Sequence, residues 1–327
     1  MRRREFIAAL GGAAAWPFIA RAQQSDATRR IGVLMLAEGD AQSRVELAAF
    51  VQGLQELGWK EGHNLGIDVR WSGGNPDNIR KNATELVALA PEVVLAQGGT
   101  IVGALQQASS KVPIVFVNVT DPVGRGYVAN LARPERNATA FTSFEFGIGG
   151  KWLELLKEVV PNMTRTAVLR DPAITAGIGY LAAIQALGPS RGVQVTPIDV
   201  RDAGEIERAV ASFARTPGGS LIVTADPGVI VHRELIIALA ARHRLPAMYP
   251  YRHFVAAGGL ISYGIDPADQ YRQAAGYVDR ILKGEKPGDL PVQQPTNFEL
   301  LINLKAAKAL GLIVPPALLT RAEEVIE

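Results

Sequence analysis

Short apolar runs alternate with amphipathic stretches along nearly the whole chain, one of each at a time, and few folds accept that rhythm. Ile31–Leu36 is unbroken and apolar, as a strand covered on both faces must be. In the stretch from Ser43 to Leu57, Leu47, Val51 and Leu54 recur at helical spacing, and Gly58 stands where a helix ends. Strands are expected at 65–71, 93–96 and 114–117, with helices at 77–89 and 101–109. The pattern restarts with helices at 150–160, 176–187, 203–214 and 229–242, and strands at 166–169, 193–200, 221–223, 247–249 and 260–263. A last helix is expected at 271–282. Strands joined by single helices form parallel sheets with right-handed crossovers. Two such blocks, 30–141 and 146–249, predict an α/β protein of two Rossmann-like parallel-sheet lobes with a cleft between them.

The first 22 residues read as an export signal rather than as part of either lobe. Arg2, Arg3 and Arg4 precede an apolar run from Phe6 to Ile19, and Ala20-Arg21-Ala22 offers small residues to a signal peptidase. Arg3-Arg4-Glu5-Phe6-Ile7 resembles a twin-arginine export signature, which implies release into the periplasm after cleavage behind Ala22. Of 34 basic and 32 acidic residues, the signal holds four arginines and one glutamate, which leaves 30 against 31. That balance gives no reason to expect nucleic acid as a partner. The chain contains no cysteine, so neither a lipidated cysteine nor a disulfide is available. A soluble monomer is expected.

In open parallel sheets ligands sit beyond the carboxyl ends of the strands, so the loops there are the candidates. Gly99 and Thr100, in Gln97-Gly98-Gly99-Thr100, open a helix whose amide groups favour an anion such as a carboxylate. Thr120 and Asp121 follow the fourth strand, where a carboxylate can take an ammonium or a hydroxyl. Thr142 and Ser143 lie at the handover between blocks. Asp171 and Asp226 end two strands of the second block at equivalent places. Tyr249, Tyr251 and Arg252 combine two aromatic rings with a guanidinium, suited to a planar acid, and Tyr263 ends the next strand. The four histidines show no metal-ligand spacing, and no phosphate loop or nucleophile elbow occurs. No cofactor, metal or catalytic residue is therefore expected.

Several stretches, in this order and spacing, carry a resemblance. They include Leu95-Ala-Gln-Gly-Gly-Thr100, Val119-Thr-Asp-Pro-Val123, Asn137-Ala-Thr-Ala-Phe-Thr-Ser143, Gly258-Gly-Leu-Ile-Ser-Tyr-Gly-Ile265 and Ile302-Asn-Leu-Lys-Ala-Ala-Lys308. Together they resemble the ABC-transporter substrate-binding family that includes tryptophan and tyrosine transporter binding proteins. The resemblance implies a type I periplasmic-binding fold, a small-molecule ligand and an inner-membrane ABC permease as partner. It also implies three crossings between lobes, near Ser143, near Tyr249–Arg252 and near Gly284–Pro291. The first lobe would comprise 30–142 plus 253–283, and the second 143–252 plus 284–327. Amino acid, aromatic acid, amide and small sugar remain open as ligands. The rival functions are a sensor subunit that presents a ligand to a receptor kinase, and a secreted α/β enzyme built on Asp121 and Asp226.

Overall fold

The computed structural model describes residues 28–36 and 41–327; the expected export signal, residues 1–22, lies outside the described residues. The first lobe is a five-stranded parallel sheet in the order β2-β1-β3-β4-β5. Its strands are β1 (Arg29–Met35), β2 (Leu65–Trp71), β3 (Val93–Gln97), β4 (Ile114–Val119) and β5 (Ala138–Thr142). Helices α1 (Ala41–Glu56), α2 (Pro76–Ala88) and α3 (Gly99–Ala108) connect them. Asn75 caps α2 by accepting from the amides of Asp77 and Asn78, and Pro76 starts the helix without a wasted donor. Residues such as Val33, Leu34, Val94, Leu95 and Val115 are wholly buried, as a sheet covered on both faces requires.

The second lobe is a seven-stranded sheet in the order β12-β11-β10-β9-β8-β6-β7. It contains α4 (Ile148–Val159), β6 (Arg165–Arg170), α5 (Thr175–Leu187), β7 (Gln194–Asp199), α6 (Ala203–Ala214) and β8 (Gly219–Val223). After β8 come two short helices, α7 (Pro227–Val231) and α8 (Arg233–Arg242), broken at His232, where one continuous helix was expected. Then follow β9 (Ala247–Tyr249), α9 (Arg252–Ala256) and β10 (Ile261–Gly264). Two separate apolar cores, one per sheet, underlie the division into lobes.

The return path differs from expectation. Strand β10 pairs parallel with β9 and antiparallel with β11 (Glu299–Asn303), and Ile261 is buried in the second core. Residues 253–264 therefore belong to the second lobe, not the first. The chain crosses back at Gly264–Asp266, and Tyr249–Arg252 stays behind. Gly264 has no room for a side chain, since a Cβ there would lie 1.8 Å from the Pro250 carbonyl oxygen. Helix α10 (Pro267–Leu282) then packs on α1, with Ala275 against Gly53 and the Trp59 indole donating to Asp279 Oδ1 at 2.9 Å. The third crossing also comes later than 284–291. Leu290 and Val292 lie in the first core, and the Thr139 hydroxyl donates to the Leu290 carbonyl at 2.6 Å. Only past Gln293, which exchanges backbone bonds with Ala140 and Thr142, does the chain enter the second lobe for β11, α11 (Leu304–Leu310), α12 (Pro316–Arg321) and β12 (Glu324–Ile326).

Candidate ligand-binding site

The lobes enclose a cleft of about 850 Å³. The first lobe contributes Thr100, Arg125 and Tyr127, and the second contributes Asp171, Arg201 and His232. The walls nearly touch at one side: the Val231 side chain lies 3.2 Å from where a Cβ on Gly74 would stand, and Gly74 has φ +72°. A glycine is needed there on both counts. Most charges along the cleft already have partners. Arg80 pairs with Asp77, and Arg201 reaches Asp199 and Glu205. The Arg125 guanidinium donates to the Tyr127 hydroxyl at 3.3 Å, beside the start of α3.

Leu36 and Val231 also wall a second, deeper cavity of about 40 Å³. Its polar lining comes from both lobes. Glu46, Gln97 and Asn118 approach from the first, and Arg233, Tyr251 and His253 from the second. Glu46 is 4% exposed, although a carboxylate is costly to bury without partners. It accepts from Gln42 Nε2 at 3.1 Å and Gln97 Nε2 at 3.2 Å, while Gln97 Oε1 takes the Leu36 amide at 2.9 Å. The Arg233 side chain is 13% exposed. Asn118 Oδ1 is buried with no hydrogen-bond partner among the described residues. The Tyr251 hydroxyl is pushed up from its ordinary pKa, first by burial and then by the charges of Tyr180, Glu46 and Asp226. An acid, a base and an amide side chain thus converge on one small cavity. The cavity brings charges of both signs to one place, and the adjoining cleft is the roomier of the two.

The residues expected at the site scatter over several places. Thr100 and Asp171 line the large cleft, and Gly99 packs beside it against Tyr127 and Arg125. Tyr251 lines the deep cavity. Thr120, Asp121 and Thr142 line a third cavity, about 410 Å³, with Phe144 and Phe146. The Thr120 hydroxyl lies 2.8 Å from both Ser143 Oγ and the Tyr180 hydroxyl, a bridge between lobes.

Four residues lie elsewhere. Asp226 is completely buried; its Oδ2 accepts from the Asp171 amide at 3.0 Å and the Thr224 hydroxyl at 2.8 Å. It holds the Asp171 loop from behind, and burial raises its pKa to about 6. Tyr249 is a core residue, stacked on Phe254 with ring centroids 5.1 Å apart. Arg252 opens α9 and is carried away to Glu299 and Glu324, at 3.0 and 2.6 Å. Tyr263 stacks on Phe298, and its carbonyl accepts from the Trp152 indole.

Glu46, Gln97, Asn118 and Arg233 escaped the loop-by-loop reading. For Glu46 a signal was present. Ser43, Glu46, Phe50 and Leu54 are the buried stripe of α1, and a glutamate inside such a stripe marks a special site. Asn118 interrupts an otherwise apolar strand one residue before its end, which is a weaker sign of the same kind.

Two parallel-sheet lobes, three crossings and a polar cavity at their junction define a two-lobed binding protein of the type I periplasmic class. The family model for ABC transporter substrate binding proteins matches residues 30–326, and the chain belongs to that family. A curated relative, the tyrosine-binding protein of Clostridioides difficile, is 24% identical over 87% of this chain and 81% of its own length. The structure of the ABC domain in complex with L-Trp from Streptococcus pneumonia superposes with a TM-score of 0.85, at 24% identity, over 92% of this chain and all of that one. A conserved domain protein from Vibrio cholerae also gives 0.85, at 28% identity, over 91% and 99%. The protein is thus the substrate-binding component of an ABC transporter, a role exercised outside the cytoplasm, in the periplasm or beyond, alongside a membrane permease.

Proposed function

We propose that the chain captures an amino acid with an apolar or aromatic side chain and hands it to its permease. One observation carries this reading: Glu46 and Arg233 reach the same enclosed cavity from opposite lobes. The ammonium group is taken by Glu46 and Asn118 Oδ1, the carboxylate by Arg233, and the side chain extends past Leu36 and Val231 into the cleft. Charge-assisted bonds of this kind are about twice as strong as neutral ones. Because the two ends are held by different lobes, a molecule with both bridges the closed form and shifts the population towards it. The relatives that bind tyrosine and L-Trp support the same ligand class.

In this reading the chain catalyses nothing. Of the acid pair offered for an enzyme, Asp121 lines the third cavity while Asp226 is completely buried. The protein works as a monomer, exported by the twin-arginine route and cleaved behind Ala22. A ligand that binds only the folded state raises the melting temperature. Thermal-shift screening of the mature chain should therefore single out tryptophan, tyrosine or a similar amino acid. Shifts from sugars or simple acids, with none from amino acids, would overturn the assignment.

A further inference from the structure

Strand β4 does not run evenly beside β5. Phe116 stands opposite Ala140 and Val119 opposite Thr142, so Val117 and Asn118 together face Phe141 alone. That is a β-bulge, a device that re-aims a side chain and leaves one residue outside the ladder. Asn118 adopts φ +55° in it. Its amide donates instead to Gln270 Oε1 at 2.9 Å. The carbonyl of Thr142, at the end of β5, accepts from Gln270 Nε2 at 2.6 Å. Gln270 is 5% exposed and stands on α10, one turn after the second crossing. A backbone amide must donate and a carbonyl must accept, so the two contacts fix the orientation of the carboxamide. Only a side chain with a donor and an acceptor at one end, and of glutamine's length, fills both roles.

We infer that Gln270 is a positioning residue for ligand capture, one that sets Asn118 as an acceptor for the bound head group and ties that setting to the first crossing. The inference rests on the reading of the deep cavity as the head-group site. Asn118 lines that cavity, its Oδ1 buried without a hydrogen-bond partner among the described residues, and Thr142–Ser143 is where the chain leaves the first lobe. Both bonds lie within the first lobe, and the one to Thr142 ends where the chain leaves it.

The test uses the mature chain with Gln270→Met, which removes both bonds, and Gln270→Glu, which is nearly isosteric. Two quantities are measured: hydrogen exchange of the Asn118 amide without ligand, and the Kd for L-tryptophan by calorimetry. In Gln270→Met, Asn118 should exchange at least about tenfold faster and the Kd should rise about tenfold or more. In Gln270→Glu, a protonated carboxyl again offers one donor and one acceptor. The ratio of its Kd to wild type should therefore be large at pH 8 and fall towards one at pH 5. Wild-type Asn118 exchange in Gln270→Met, or a pH-independent ratio in Gln270→Glu, overturns the inference. Should wild type itself not bind L-tryptophan, the head-group reading falls for that ligand, while the exchange measurement still decides whether Gln270 holds Asn118.

Discussion

The deep cavity and the open cleft share Leu36 and Val231 as walls, yet they are built on different physics. In the cavity, polar groups are buried and held by one another, as Glu46 is by Gln42 and Gln97. In the cleft the arginines stand half in water and pair with nearby acids or, for Arg125, with a tyrosine. Charges out of water interact strongly and cost much to leave unmatched; exposed pairs contribute little. The difference teaches where recognition lies: the cavity demands a particular head group, and the cleft accepts a range of bodies.

The sharpest way to break this division is Glu46→Gln. Removing one partner from a buried charged pair costs about 3–5 kcal/mol. Calorimetry should therefore show L-tryptophan affinity reduced at least about 100-fold. Equal affinity would place the head group elsewhere.

The next effect comes from behind the cleft wall, at Asp226. Its folded-state pKa of about 6 lies above the ordinary carboxylate value, because burial disfavours the charge. As pH rises, the unfolded chain therefore loses this proton first, and stability falls between about pH 4 and pH 6 and stays lower above. Asp226→Asn keeps an acceptor for the Asp171 amide and the Thr224 hydroxyl without the charge. It should be more stable than wild type by about 3 kcal/mol at pH 8, and the gain should vanish near pH 4. Denaturant unfolding at both pH values measures this, and a gain confined to the acid side would contradict it.

Smaller effects belong to the cleft and the outer surface. Thr100→Val removes one hydroxyl from a wet wall and should weaken L-tryptophan by less than tenfold, about 1 kcal/mol. Arg252→Ala breaks two half-exposed ion pairs, and should cost at most about 1 kcal/mol of stability with no change in affinity. A large loss of affinity in either variant would erase the contrast between cavity and cleft.

The strand and helix rhythm was enough to read the two lobes, because periodicity records which faces are buried. The route between them was not legible in the same way. Residues 253–264 look like one more helix–strand unit, and nothing local says that β10 pairs with β9 and β11 in the second sheet. Only the long-range register settles it. Searching strand-end loops led to Thr100 and Asp171, which line the cleft, and to Tyr251, which lines the deep cavity, since parallel sheets place such loops there. The same logic misplaced Arg252, whose direction is set by α9 and by glutamates far along the chain. It also passed over Glu46, which sits on a helix face rather than in a loop.

The central claim is that one enclosed cavity holds both charges of an amino acid head. Calorimetry with L-tryptophan, tryptamine and indole-3-propionate tests it most directly, since the last two each lack one charge. L-tryptophan should bind at least about 100-fold more tightly than either analogue. Indole-3-propionate binding as well as L-tryptophan would show that no ammonium is recognised, and would contradict the account.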